Sequence, residues 1–234
     1  MHPAPSIILF TVLSGLGFGL LAFLGLGMPD VSGWMAFAFF TIAYLLAVGG
    51  LVSSTFHLGH PERALRAFTQ WRTSWLSREA WLSAITLVVM AVYGAALVFF
   101  GTRIAALGYL GAALCLCTIF ATSMIYGQLK TVPRWNHWTT PALFVAIALA
   151  GGALLASKSF AAGLLLIIAG AIQTAAWLIG DGAFAARRST LGAATGLGHM
   201  GRVRAFEAPH TGNNYLMREM IHQIGRKHAL KLRV

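Results

Sequence analysis

The apolar stretch AWLSAITLVVMAVYGAALVFF, residues 80–100, contains no charged residue over its whole length. It shows neither the alternation of a half-buried strand nor a polar stripe. At a rise of about 1.5 Å per residue, an α-helix of this length crosses the hydrocarbon core of a bilayer, which is roughly 30 Å thick. A helix also satisfies its own backbone hydrogen bonds, as lipid requires. The stretch therefore predicts a transmembrane helix.

Five further windows have the same character, and the whole chain is correspondingly apolar. Hydrophobic residues make up 58% of the 234 residues, charged residues make up 10%, and the mean hydropathy is +0.74. A soluble globule cannot bury so much apolar surface in one core. We predict an all-α polytopic transmembrane helix bundle over residues 1–182 and a basic tail over residues 183–234. The six predicted spans are residues 7–28, 34–56, 80–100, 104–126, 141–157 and 160–180.

Lysine and arginine are distributed very unevenly over the predicted loops. Fifteen of the 17 follow the second, fourth or sixth span, and the other two are Arg103 and Lys158. Short basic loops stay on the cytoplasmic side of a membrane. We therefore expect an integral protein of the inner (cytoplasmic) membrane, with the N-terminus and the basic loops in the cytoplasm. The net charge of +11 is then explained by basic loops that set the membrane topology and contact anionic lipid or an acidic protein surface. No nucleic-acid partner is expected.

The loop HLGHPERALRAFTQWRTSWLSRE, residues 57–79, is the predicted site of chemistry, because it holds two of the six acidic residues and two of the eight histidines. Quinone chemistry moves two protons with two electrons, so it needs a lipid-accessible pocket near one membrane face and polar groups for the carbonyls. His57 ends the second span and Glu79 directly begins the third. We predict that His57 bonds a quinone carbonyl and passes a proton, and that Glu79 accepts that proton.

Other interpretations of these residues remain open. A transporter normally places ionisable residues or broken helices near the membrane midplane, which the predicted spans do not contain. A b-type haem needs histidines at a shared depth, whereas His57, His60 and His137 lie at helix ends. An alternative role for His57 and Glu79 is purely structural, because a histidine at a helix C-terminus and a glutamate at a helix N-terminus stabilise those ends by charge. His60 is an alternative to His57 as the proton carrier.

Five segments together resemble one protein family, and they extend over most of the chain. They are HLGHPERA (57–64), SWLSRE (74–79), TVLSGLGFGLL (11–21), MIYGQLKTVPRWNHWTTP (124–141) and the tail segment 193–220. These segments are similar to those of the membrane anchor subunits of the dimethyl sulfoxide reductase group of molybdenum enzymes. Such anchors have eight helices, so the resemblance implies two spans more than the six predicted here.

The resemblance implies a site, a cofactor and partners. By position it assigns His57, Gly59, Arg63 and Glu79 to quinone binding, with Tyr126 as a weaker candidate. It implies that the anchor exchanges electrons with ubiquinone or menaquinone and carries neither haem nor another redox centre itself. The implied partners are an iron–sulfur electron-transfer subunit and a molybdopterin catalytic subunit, which carry the clusters and the molybdopterin.

The charge distribution favours one branch of that family. In the exported sulfoxide reductases the catalytic subunits lie outside the membrane, whereas the matching loops of this chain are predicted inside. The chain is therefore more similar to the anchor of the cytoplasmic sulfite dehydrogenases, and we expect electrons to pass from sulfite oxidation to quinone. The alternative is a quinol-oxidising anchor of a sulfoxide reductase.

The basic residues of the predicted cytoplasmic side suggest a docking surface for an iron–sulfur partner. Lys130, Arg134, Arg202 and Arg204 are the residues assigned to it. From Asn214 onward the tail has the pattern of a cationic amphipathic helix. We expect this helix to lie on the membrane surface or to lead into a further span.

Overall fold

The computed structural model describes residues 5–58, 60–186, 190–204 and 206, with the backbone alone at His57, Phe184 and Ala185. All regular structure within these residues is helical, which confirms the predicted fold class. The long helices are α1 (Pro5–Gly25), α2 (Gly33–Ser53), α3 (Trp75–Phe100), α4 (Ala105–Gly127), α5 (Thr139–Leu155) and α6 (Ser159–Ala186). All but α5 are long and apolar enough to cross a membrane. The 17 residues of α5 are at the lower limit for a span.

The shorter elements lie at one end of the bundle. Two 3-10 helices, Ser54–His57 and Pro61–Phe68, occupy the connection between α2 and α3. After α6, which runs beyond residue 182, come the short helix α7 (Leu191–Thr195) and a 3-10 turn at Gly198–Met200. We call this the basic end. It holds the start of α1, the α2–α3 and α4–α5 connections and the end of α6, whereas the predicted tail helix from Asn214 lies outside the described residues.

Helix α1 lies at the centre of the bundle. It packs against α2, α4 and α5, while α3 packs against α2 and α4. The largest fully buried side chains include Phe18 and Leu21 of α1, Met90 and Tyr93 of α3, and Cys115 of α4. Helix α6 packs on α5 alone among the described helices, and most of its side chains are exposed. An apolar surface of this kind is suited to contact with lipid or another membrane helix.

Glycine permits an unusually close crossing of α1 and α5. A Cβ atom added at Gly152 would lie 2.2 Å from the carbonyl carbon of Gly19, and one added at Gly19 would lie 2.0 Å from the carbonyl oxygen of Ala148. Small residues allow this backbone contact between membrane helices. Four residues nearer the basic end, a Cβ atom at Gly15 would meet nothing closer than 3.7 Å. The two helices therefore separate toward the basic end.

The start of α3 differs from the sequence prediction. The apolar window begins at residue 80, but the helix begins at Trp75, so Glu79 lies four residues, or about 6 Å, inside it. The preceding loop folds back, so that its backbone carbonyl oxygens accept hydrogen bonds from side chains at the start of α3. The Arg78 guanidinium donates to the carbonyl oxygens of Trp71 (3.1 Å) and Arg72 (2.8 Å), and the Ser77 hydroxyl bonds to the loop backbone. These contacts let the helix start among polar residues.

Candidate functional site

The carboxyl group of Glu79 is buried inside the bundle. The residue is only 4% exposed, and the Thr122 hydroxyl on α4 donates to its Oε1 atom at 2.8 Å. No ion pair within the described part of the chain joins Glu79 to a cation. An ionisable group inside a membrane helix is costly and commonly marks a proton or ligand site. The position of Glu79 therefore has the character of a functional site.

A chain of polar groups continues from Glu79 between α3 and α4. The Thr122 hydroxyl oxygen is also 3.0 Å from the carbonyl oxygen of Thr118, one helical turn away. The Thr118 hydroxyl donates to the carbonyl oxygen of Leu114 at 2.9 Å, and it lies 3.0 Å from the hydroxyl of Thr86. We call Glu79, Thr122, Thr118 and Thr86 the polar seam. All four residues are buried within the bundle.

An apolar cavity of about 250 Å³ lies between α1, α4 and α5, on the side of α4 that carries Thr122. It occupies the space where α1 and α5 separate beyond their glycine crossing. Its lining residues are Thr11, Val12, Ser14, Gly15, Leu16, Phe18, Ile119, Thr122, Leu143, Phe144, Ile147 and Ala148. Two of the lining residues, Val12 on α1 and Ile147 on α5, are each 51% exposed. The cavity is therefore accessible from the lipid side, between α1 and α5.

Tyr126 lies between this cavity and the basic end. Its ring packs at 5.6 Å, centroid to centroid, against Phe144, which lines the cavity, and at 5.7 Å edge-on against Trp135. Tyr126 lies one helical turn beyond Thr122, the residue of α4 that donates to Glu79. Two of the residues predicted for the site, Glu79 and Tyr126, thus lie near the same part of α4, Glu79 through its bond to Thr122 and Tyr126 one turn further along the helix.

The other predicted site residues lie on the α2–α3 connection. His57 ends the 3-10 helix Ser54–His57, and Gly59 lies outside the described residues. The Arg63 Nε atom is 3.9 Å from Glu62, whose Oε1 atom is 2.8 Å from Nδ1 of His60. All three of these side chains are more than half exposed. Among the described hydrogen bonds and ion pairs, none joins Arg63 to Glu79.

The residues assigned to a docking surface do not have equal surroundings. Arg134 Nη2 lies 2.6 Å from Asp181 at the end of α6, so this arginine holds the α4–α5 connection against α6. Lys130, Arg202 and Arg204 are exposed. Over the part of the chain that the structure describes, no group of three or more histidine, cysteine or acidic residues is arranged to hold a metal ion.

Sequence reasoning did not single out Thr122 or the cavity. Thr118, Thr122 and Tyr126 follow one another at four-residue spacing, which places them on one face of α4. That spacing is a signal in the sequence for a polar face on this helix. The partner of Thr122 is 43 residues away on another helix, so it becomes evident only from the fold.

Comparison with known proteins identifies the family. Residues 1–179 match the family model described as DMSO reductase anchor subunit (DmsC). The chain belongs to this family. It is also 30% identical, over 262 aligned positions, to a protein from Allochromatium vinosum that is named as a subunit of sulfite dehydrogenase. That alignment covers 98% of this chain and 80% of the other protein. No solved structure gives a significant match.

Membership of the DmsC family confirms the resemblance stated from the sequence motifs. A DmsC-family chain is a membrane anchor subunit of an oxidoreductase complex, whose partners are catalytic and electron-transfer subunits. The apolar helices agree with this assignment to an integral membrane protein.

Proposed function

We propose that this DmsC-family anchor is the quinone-reactive subunit of its complex and passes electrons from sulfite oxidation to membrane quinone. The observation that carries the proposal is the position of Glu79. Its carboxyl group is buried within the membrane-spanning part of α3, near the basic end, and is bonded to a residue in the wall of a lipid-accessible cavity. Proton-coupled reduction of a lipid-soluble quinone needs a proton donor close to the ring, and a buried carboxyl group can serve as one.

In this proposal, reduction of one quinone takes two electrons from the iron–sulfur partner and two protons from the protein. Glu79 exchanges one of the protons. His57, at the end of the 3-10 helix that continues α2, bonds a carbonyl of the ring and delivers the other. Arg63 holds the connecting loop or bonds an anionic intermediate, since a guanidinium is permanently charged.

The proposed orientation follows from charge. Of the 17 lysines and arginines of the chain, 15 follow the second, fourth or sixth span, which favours the cytoplasmic side for the basic end. A cytoplasmic molybdopterin subunit would then oxidise sulfite to sulfate, and an iron–sulfur subunit docked on Lys130, Arg202 and Arg204 would carry the electrons to the quinone. The similarity to a protein named as a sulfite dehydrogenase subunit supports sulfite as the electron donor.

The proposal is tested in the purified three-subunit complex by comparing two electron acceptors. Glu79→Gln and His57→Ala should lower sulfite oxidation with a quinone acceptor by roughly 100-fold or more, as expected for loss of a general acid or base. Sulfite oxidation with a soluble dye should stay unchanged. Asp30→Asn is the control, because Asp30 is an exposed carboxylate of the α1–α2 connection, at the opposite end of the bundle. Full quinone activity in both Glu79→Gln and His57→Ala would refute the proposed site.

A second candidate function is quinol oxidation coupled to reduction of a sulfoxide. The description of the matching family as an anchor of DMSO reductase favours it. The same pocket chemistry would then run in reverse. Rapid reduction of dimethyl sulfoxide by quinol, with no quinone-dependent oxidation of sulfite by the same complex, would select this alternative.

A further inference from the structure

We infer that the cavity between α1, α4 and α5 binds the quinone ring, and that Thr122 relays a proton between the ring and Glu79. The inference rests on the proposed function for the identity of the ligand. It adds a binding site, a route of entry and a third reacting side chain, none of which belongs to the α2–α3 loop.

The origin of the cavity explains why a ring from the bilayer can enter it. Backbone contact at Gly19 and Gly152 holds α1 and α5 together, and the helices separate on the basic side of that point. Val12 and Ile147 stand at the opening and are half exposed. A volume of about 250 Å³ is near the lower bound of roughly 300 Å³ for ligand pockets. It suits a ring whose isoprenoid tail remains in the lipid between the two helices.

The lining selects a neutral ligand with an apolar body. Nine of the twelve lining residues have no side-chain hydroxyl or charge, and the polar ones are Thr11, Ser14 and Thr122. Thr11 and Ser14 donate their hydroxyl protons to carbonyl oxygens of α1 itself, for Ser14 at 2.6 Å to Phe10. These two hydroxyl groups therefore add no charge to the lining of the cavity. Thr122 is the described residue that both lines the cavity and bonds an ionisable group.

The geometry at Thr122 is that of a proton relay. A hydroxyl has one proton and two acceptor lone pairs, so Thr122 can donate to Glu79 at 2.8 Å or to the carbonyl oxygen of Thr118 at 3.0 Å, but not fully to both. When Glu79 is protonated, its O–H can donate to the Thr122 oxygen, which releases the Thr122 proton from Glu79. In the proposed relay this proton turns toward the quinone ring in the cavity. The hydroxyl therefore has two arrangements that differ in the direction of its proton.

The relay step conserves atoms and electrons. Oxidation of sulfite with water to sulfate releases two electrons and two protons in the partner subunits, and the electrons reach the ring through the iron–sulfur subunit. The Glu79 O–H bond breaks and its proton binds the Thr122 oxygen, while the original Thr122 O–H bond breaks and that proton binds the quinone oxygen. Thr122 is unchanged at the end and Glu79 is left as a carboxylate. The second proton reaches the other ring oxygen from the His57 side.

The relay is tested with two substitutions of Thr122 in the purified complex. Thr122→Val keeps the shape but removes the hydroxyl, and it should lower kcat with quinone by at least about 10-fold. Thr122→Ser keeps the hydroxyl and should retain most of that activity. Thr174→Val is the control, because the Thr174 hydroxyl donates to its own helix on exposed α6. Dye-coupled activity should be unchanged in all three variants.

The entry route is tested separately at the opening of the cavity. Val12→Trp should raise KM for a long-tailed quinone several-fold, whereas Val92→Trp, on an exposed position of α3 outside the cavity, should not. An unchanged KM in Val12→Trp would overturn the route.

The outcomes for the relay and for the proposed function are distinguishable. If Thr122→Val keeps full quinone activity while Glu79→Gln loses it, the relay is wrong and the quinone function stands. If Glu79→Gln and His57→Ala both keep full quinone activity, the proposed site fails together with the relay. If the unmodified complex oxidises sulfite with the soluble dye but not with quinone, the proposed function itself fails.

Discussion

The contact between Gly19 and Gly152 should control both the stability of the bundle and the shape of its cavity. In Gly152→Ala, the new Cβ atom would start 2.2 Å from the carbonyl carbon of Gly19, whereas ordinary contact begins at 3.4 Å, so α1 and α5 must separate by about 1.2 Å. The neighbouring atoms are backbone atoms, which cannot rotate away as a flexible side chain can. Overpacking of this kind costs about 1–3 kcal/mol.

A matched substitution isolates this effect from helix propensity. A Cβ atom at Gly49 would meet nothing within 4 Å, so Gly49→Ala should leave the free energy of unfolding unchanged or raise it by up to about 1 kcal/mol. The measurement is unfolding of the purified chain in mixed detergent micelles, followed by tryptophan fluorescence. Gly152→Ala should also raise KM for quinone in the complex, because the cavity begins where the crossing ends. Equal stability of the two alanine variants would refute the packing argument.

Two further predictions concern polar contacts away from the cavity. Thr86→Val should lower the free energy of unfolding by about 0.5–1.5 kcal/mol, because the hydrogen bond between Thr86 and Thr118 is lost while Thr118 keeps its bond to Leu114. Quinone activity should stay intact, because Thr86 is not part of the proposed relay. Loss of quinone turnover in this variant would extend the relay along the polar seam. Arg134→Ala should lower the free energy of unfolding by no more than about 1 kcal/mol, because its ion pair with Asp181 is partly exposed. A much larger loss in the same micelle assay would contradict that value.

Much of the fold was predictable from the sequence because lipid imposes simple rules. Uncharged windows of about 20 residues predicted six helices, and the observed helices overlap all six windows. The start of α3 was not predictable in this way. An apolar window stops at the first charged residue, so it excludes Arg78 and Glu79 from the predicted helix. In the structure both residues lie inside the helix, and the Arg78 guanidinium donates hydrogen bonds to carbonyl oxygens of the preceding loop.

The site was predictable in its residue types but not in its arrangement. The excess of charge in residues 57–79 pointed to Glu79, and family resemblance added Tyr126. The burial of Glu79 against α4 depends on which face of α3 is turned inward, and the cavity depends on the crossing of α1 and α5. Neither is encoded in a local pattern. The predicted roles of His57, Gly59, Arg63, Glu79 and Tyr126 in quinone binding remain predictions.

Photoaffinity labelling tests most directly whether this chain binds quinone between α1, α4 and α5. The intact complex in its native membrane is illuminated with an azido-substituted quinone, and the labelled peptides of this chain are identified by mass spectrometry. We expect label on the cavity-lining segments of α1, α4 and α5, reduced by an excess of unmodified quinone. Label that is displaced by quinone but confined to α6, or absent from this chain and present on a partner subunit, would contradict quinone binding in the cavity.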